Sequence, residues 1–297
     1  MATPFPWRLA ARVAAAALGG AAAVAGYSFL VEPAWIEVSR YPLLLPNLPA
    51  EWRGRRVVHL TDLHYGNPAS EWLFQWMVER VNAEKPDLIL MTGDFLLDCP
   101  EQVEPCLHHL VRLEARWGKV AVLGDHDFDR DLPFYRRHEP GTRSRPVRTR
   151  VVPGLVEGLE AAGVILLRNA TCELPGGLHI AGVEPMTNRV NRCDLDRALE
   201  AAPEGAVHLL LSHAPDVVHL ARRRGIRMQL SGHTHGGQIV VPGYGPPITN
   251  SELPRAVASG WSLWEETQLF TSRGLSSHYS LRFFCRPEMT VFTVGSG

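Results

Sequence analysis

No two cysteines of this 297-residue chain form a CxxC pair, which argues against a structural zinc knuckle. The five cysteines (Cys99, Cys106, Cys172, Cys193 and Cys285) are scattered and odd in number. At least one thiol therefore stays unpaired, and the set does not decide the redox compartment. Cys99 and Cys106 are close enough to bridge in an oxidising space, with two chance thiols as the plainer reading. Excess charge of either sign is also missing. A formal net charge of -1 gives no global attraction to nucleic acid or to an anionic membrane, and no nucleic-acid partner is expected. There is no internal repeat and no linker marking a second globular domain. What is present, 45% hydrophobic and 21% charged residues, is ordinary globular composition with ample material for a large core.

The most informative absence is local. From Val13 to Val31 there is no charged residue, only Ala, Gly, Val, Leu and a few others. Such a run is long enough to cross a bilayer as a helix, and it has no polar face to suit a core helix. Its Ala and Gly content, with Ala23-Val24-Ala25 as a small-residue cleavage site, also fits an export signal. Arg8 and Arg12 precede the run and Glu32 and Glu37 follow it, so the positive-inside rule leaves the N-terminus in the cytoplasm and the body outside. We divide the chain into an anchor or signal (1–31), an extended Pro-rich tether (32–55) and a body (56–297). The expected location is a single-pass position in the cell membrane, with the body periplasmic or otherwise extracytoplasmic.

The body opens with Arg56 to Leu60, a short apolar run ending at Thr61-Asp62, which suits a buried strand. A helix is expected over 70–83 with Ser70 as N-cap. Leu88 to Met91 is a second strand running into Gly93-Asp94, followed by a helix ending near Arg116. Val120 to Leu123 then runs into Gly124-Asp125. Further helices are expected at 156–162 and 194–201. Strands are expected at 164–167, 172–174, 179–181, 207–211, 228–230, 238–241, 268–272 and 290–294. Strands alternating with helices imply an α/β fold with a largely parallel sheet.

The polar residues of interest share one placement. Asp62 and His64, Asp94, Asp125 and His126, His213, and His233 with His235 each follow an apolar strand. In open α/β sheets, ligands bind beyond the strands' carboxyl ends. One such residue is usually a cap or turn former, but five strand ends delivering only Asp and His to one edge call for another reason. Imidazole and carboxylate together suit zinc, iron or manganese rather than calcium. Asp62-x-His64 and His233-x-His235 place paired ligands on one side of a strand end. Gly232, Gly236 and Gly237 permit a tight path around the second pair. Seven ligands suit two divalent ions sharing a carboxylate, a pair that holds a hydroxide nucleophile for attack at phosphorus.

Asp62-Leu-His64, Gly93-Asp94, Gly124-Asp125-His126-Asp127, Ser212-His213-Ala214-Pro215 and Gly232-His233-Thr234-His235-Gly236-Gly237-Gln238 resemble, in order, the signature blocks of the calcineurin-like metallophosphoesterases. The resemblance runs from about Arg56 to the C-terminus. The GHTHGGQ block and the Arg282…Pro287-Glu288 segment are similar to a bacterial membrane-associated or exported branch. That branch includes phosphodiesterases and UDP-2,3-diacylglucosamine pyrophosphatases. The resemblance implies two packed mixed sheets flanked by helices. It implies one metal on Asp62, His64, Asp94 and His235, and a second on Asp94, Asp125, His213 and His233. His126 would stabilise the transition state or act as general acid, oriented by Asp127. The family pattern has Asn where this chain has Asp125, which when ionised offers a stronger anionic ligand but no donor to phosphate.

Arg136, Arg137 and Arg143, with Arg145 and Arg148, lie just beyond the Asp127 motif. They read as a phosphate-gripping rim or as a solvated loop. Trp72 and Trp76 share one helix face, which suits core packing, or alternatively an acyl-chain or membrane contact. Trp261, Trp264, Phe283 and Phe284 carry the same pair of readings. The expectation is a membrane-associated hydrolase of phosphodiester or pyrophosphate bonds in a phosphorylated small-molecule or lipid substrate. A cell-envelope phosphodiesterase without lipid specificity and a non-catalytic metal-binding scaffold are the alternatives. Oligomeric state is left open.

Overall fold

The computed structural model describes residues 7–97, 100–129, 150–277 and 279–296. Its first element is α1 (Trp7–Gly26), continued by a π-helical turn (Tyr27–Val31) and a 3-10 turn (Glu32–Ala34). Among the described residues, twelve strands follow in two six-stranded sheets. The first sheet holds β1 (Glu37–Leu45), β2 (Arg56–Leu60), β3 (Leu88–Met91), β4 (Lys119–Ala121), β5 (Val164–Leu166) and β12 (Glu288–Ser296), in the order β1-β12-β2-β3-β4-β5. β2 through β5 are parallel, β12 runs against β2, and β1 runs along β12 at the edge. The second sheet holds β6 (Ala170–Leu174), β7 (Leu178–Gly182), β8 (Val207–Leu211), β9 (Met228–Ser231), β10 (Gly260–Trp264) and β11 (Thr267–Thr271), in the order β10-β11-β9-β8-β7-β6.

Alternation along the strands builds the layers, because successive side chains point to opposite faces. Val57, Leu88, Leu90 and Val120 turn inward and meet Ile180, Leu209, Leu211, Leu230 and Phe270 of the other sheet. Val58, Leu60, Ile89, Met91 and Ala121 turn outward, against α2 (Ser70–Ala83), α3 (Val103–Leu110) and α4 (Leu155–Ala161). The second sheet's outer face is covered by α5 (Leu195–Leu199) and α6 (Val218–Arg223) through Leu195, Ala198 and Ala221. The result is the two-sheet α/β sandwich with flanking helices that the resemblance implies.

Several local expectations need correction. The segment read as a tether contains β1, nine residues in register with β12, with Leu43 and Leu45 buried between the sheets. The sheet therefore begins well before Arg56. The apolar N-terminal segment is also not cleanly separate, because Glu32 is buried and its carboxylate accepts from the backbone amides of Phe284 and Cys285. Ser70 does not cap α2: its Oγ accepts from the Gly66 and Asn67 amides and ties the preceding turn instead. The α3 helix stops at Leu110 rather than near Arg116. Residues 238–241 make only isolated bridges, from Ile239 to Phe283 and from Val241 to Gly245, where Pro242 and Gly243 break the run. Cys106, Cys172, Cys193 and Cys285 are free thiols, and Cys99 lies outside the described residues.

Candidate metal centre

The carboxyl ends of β2, β3, β4, β8 and β9 reach one rim, and the loops leaving them are bonded to one another. Asp62 N donates to Gly93 O and His64 N to Asp94 O, extending the β2–β3 pairing beyond the strands. The backbone then departs from strand geometry. Asp62, His64, Asp94, His233 and His235 all have positive φ, between 45° and 70°. This left-handed region is disfavoured for side chains with a Cβ, and such strain clusters at functional sites. The paired ligands of Asp62-x-His64 thus converge through two left-handed kinks around buried Leu63, and not through simple strand alternation. Close approach fixes two glycines. A Cβ on Gly124 would lie 2.1 Å from Asp94 Oδ1, and one on Gly232 would lie 2.1 Å from Thr61 Oγ1.

All seven residues of the expected ligand set come together. Asp62, His64 and His235 form one group and Asp125, His213 and His233 another. Asp62, Asp94 and His213 form a third, and His64, Asp94 and His126 a fourth; within each, the candidate ligand atoms lie within 4.8 Å of one another. Asp94 lies between the groups, its Oδ2 being 3.5 Å from His64 Nε2 and 3.3 Å from His213 Nε2. Asp125 Oδ1 lies 3.3 Å from His213 Nε2 and 3.1 Å from His233 Nδ1. The histidines are aimed from behind. His213 Nδ1 donates to Thr92 O, His235 Nδ1 to Ser276 O and His233 Nε2 to Asn250 O, which leaves the opposite ring nitrogen facing the carboxylates.

The electrostatics suit cations. Asp62, Asp94, Asp125 and Asp127 are buried together. Burial raises Asp62. It works the same way on Asp94 and Asp125, but the histidines around them outweigh it and hold both below the usual carboxylate range. Burial pushes the His64 imidazole down to about 3 and His235 well below its ordinary value, so both rings are neutral donors of a lone pair. Burial also lowers His213, but Asp94 and Asp125 outweigh it and raise that ring. His64 Nε2 faces His235 Nε2 at 3.3 Å, and His213 Nε2 faces His233 Nδ1 at 3.1 Å. Two such nitrogens share at most one proton between them, whereas a borderline divalent cation accepts both lone pairs. The residues present fit such an ion.

Asp127, expected to orient His126, is occupied here with the backbone. Its two oxygens accept from the amides of Asp94, Phe95, Leu96 and Gly124, stitching the β3 and β4 loops together. Burial and the Asp94 carboxylate push its pKa up to about 7 against those amide bonds. Among the described residues His126 is met by Arg189, whose Nη1 lies 2.6 Å from His126 Nε2 and 3.3 Å from Asp125 Oδ2. The strand-end signal missed Arg189 because it stands on a turn after β7. It also missed Arg282, fully buried and donating to the carbonyls of His235, Arg273, Gly274 and Ser276. The Arg136, Arg137 and Arg143 rim, with Arg145 and Arg148, lies outside the described residues.

Among the aromatics, Trp76 packs on the helix-covered core while Trp72 is half exposed. Trp261 contacts Tyr41, Phe270 and Phe292, Trp264 packs near Leu269, and Phe284 is exposed.

A profile described as calcineurin-like phosphoesterase matches residues 55–237. The chain is 31% identical over 269 residues to phosphodiesterase YaeI of Escherichia coli, covering 90% of this chain and 91% of that one. It is 29% identical over 282 residues to the metallophosphoesterase YkuE of Bacillus subtilis, covering 91% and 90%. It is 27% identical over 299 residues to the UDP-2,3-diacylglucosamine pyrophosphatase LpxG of Chlamydia muridarum, covering 88% and 90%. The chain belongs to the calcineurin-like phosphoesterase family and is a metal-dependent hydrolase.

Proposed function

We propose that this phosphoesterase cleaves a phosphodiester or pyrophosphate bond of a lipid-linked substrate at a membrane surface, using two divalent ions. The observation that carries the metal reading is the position of Asp94 Oδ2 between two Asp–His groups. One ion would be held by Asp62, His64, Asp94 and His235, the other by Asp94, Asp125, His213 and His233. Bound there, manganese, iron or zinc would supply Lewis-acid charge to phosphoryl oxygens and make water a nucleophile at neutral pH. His126, beside Asp94 and Arg189, is the residue that hands a proton to the departing oxygen.

The lipid reading is supported by a cavity of about 240 Å³ lined by Phe29, Leu30, Ala34, Trp72, Leu73 and Leu275. Ser276 and Arg282, which also line it, bond the His235 loop, so the cavity adjoins the loop that carries one of the candidate ligands. One wall is the end of the Ala10–Ala34 stretch, which is long and apolar enough to cross a bilayer and is almost wholly unburied. Exposed Trp35, Trp72 and Phe284 add amphipathic or apolar surface. Aromatic side chains of this kind favour the headgroup level. An acyl chain entering from the bilayer is the occupant that this lining suits. The positive charge before the span and the negative charge after it support a body outside the cytoplasm, a reading that favours an extracytoplasmic lipid phosphoester over a nucleotide-activated precursor made inside.

The test is hydrolysis of bis-p-nitrophenyl phosphate with manganese, before and after chelation, beside hydrolysis of phosphodiester lipids of increasing chain length. We expect chelation to abolish both activities, and Ala34→Trp to reduce cleavage of long-chain lipid while sparing the small diester. Equal loss or equal retention for both substrates favours an envelope phosphodiesterase without lipid specificity. No hydrolysis with metal demonstrably bound favours a scaffold.

A further inference from the structure

A phosphate approaching Asp125 and His126 meets a carboxylate, which repels an anion and when ionised donates no hydrogen bond. Among the described residues, Arg189 brings a guanidinium to that pair: Nη1 reaches Asp125 Oδ2 at 3.3 Å and His126 Nε2 at 2.6 Å. The arginine is held in place by its turn. Thr187 N donates to Val190 O, while Thr187 Oγ1 accepts from the amides of Arg189 and Val190. Met186 pairs with Asn191, and the Val190 side chain is fully buried in the helix-covered core. The side chain runs from this anchored turn into the site and is 29% exposed. Only Nη1 is used by protein groups among the described residues, so Nε and Nη2 remain for a ligand. A guanidinium edge with free donors matches two phosphoryl oxygens in a fork geometry that a lysine cannot reproduce.

We propose that Arg189 is a phosphate-binding residue of this enzyme, neutralising Asp125 and gripping non-bridging phosphoryl oxygens with its remaining donors. The proposal rests on the phosphoesterase reading above. It makes Asp125 and Arg189 one unit, in which the arginine supplies the donor that the carboxylate lacks.

The experiment uses the full chain loaded with manganese. Inorganic phosphate binding is measured by calorimetry, metal content by elemental analysis, and KM and kcat with bis-p-nitrophenyl phosphate, for wild type, Arg189→Met, Arg189→Lys and Arg189→Met/Asp125→Asn. Arg189→Met should keep both metals and the wild-type melting temperature, while phosphate affinity falls and KM rises about ten- to a hundredfold, the range expected for lost charge-assisted bonds. Arg189→Lys should fall between, and Asp125→Asn in the Met background should recover part of the phosphate affinity. Unchanged phosphate affinity in Arg189→Met overturns the proposal. So does loss of metal or of folding in both single variants, which would make Arg189 a brace. Absence of metal binding by the wild type would instead sink the phosphoesterase reading.

Discussion

At the scale of single residues, the site depends on side chains that satisfy groups other than the reacting ones. Asp127 accepts four backbone amides, and without it those donors are stranded in a buried loop pair. An unsatisfied buried donor costs about 1–3 kcal/mol. Asp127→Ala should therefore lower stability by several kcal/mol in a urea melt, and Asp127→Asn by less. Full stability with lost activity would favour the orienting role toward His126 over a bracing one. His59 makes a separate prediction. It is fully buried against Thr92 Oγ1, and burial pushes its pKa down to about 3 from the usual value near 6.5. The folded form thus resists a proton that the unfolded chain accepts. The associated stability is complete above pH 6.5 and drains away as pH falls toward 3. At pH 5 the loss is about 2 kcal/mol, from about 1.4 kcal/mol per pH unit. His59→Gln should flatten the fall in melting temperature between pH 7 and pH 5; an unchanged slope would show that other groups carry it.

At the scale of elements, legibility followed sequence distance. Strands that end in Asp or His were readable because the apolar run and the polar residue are contiguous, and the 70–83 helix was readable because its apolar face recurs within a few residues. The β1 strand was not, because its partner β12 lies some 250 positions away and Pro42 and Pro46 suggest a linker. Proline is tolerated there because β1 is an edge strand. The β10 strand escaped for the opposite reason, since its half-exposed Trp261, Ser262, Leu263 and Trp264 form no apolar run. Arg189 and Arg282 reach the site from a turn and a loop, where length of side chain matters more than position in a strand. The role of β1 is testable by truncation. A chain starting at Tyr27 keeps the Glu32 clamp on Phe284 and Cys285 and the Ser28 bond to Arg282, and should melt like the full chain. A chain starting at Pro46 loses buried Leu43 and Leu45, worth about 1.5–3 kcal/mol each, and uncovers β12. It should be insoluble or melt far lower. Equal melting temperatures would return β1 to the status of a tether.

At the scale of the whole molecule, two sheets bring five strand ends to one rim, and the apolar N-terminal segment docks beside that rim. Arg282 N donates to Ser28 O, and Tyr27 stacks edge-on against Phe283, so the segment's end and the His235 loop share one support. The apolar segment and the candidate metal centre are thus parts of one packed arrangement. Its central claim is that the rim holds two ions sharing Asp94. Anomalous diffraction from crystals of the manganese-loaded protein tests this most directly. The account predicts two peaks about 3.5–4 Å apart. One should lie among Asp62, His64 and His235, the other among Asp125, His213 and His233, with Asp94 reaching both. A single peak, or two peaks with Asp94 or Asp125 outside the coordination spheres, would contradict it.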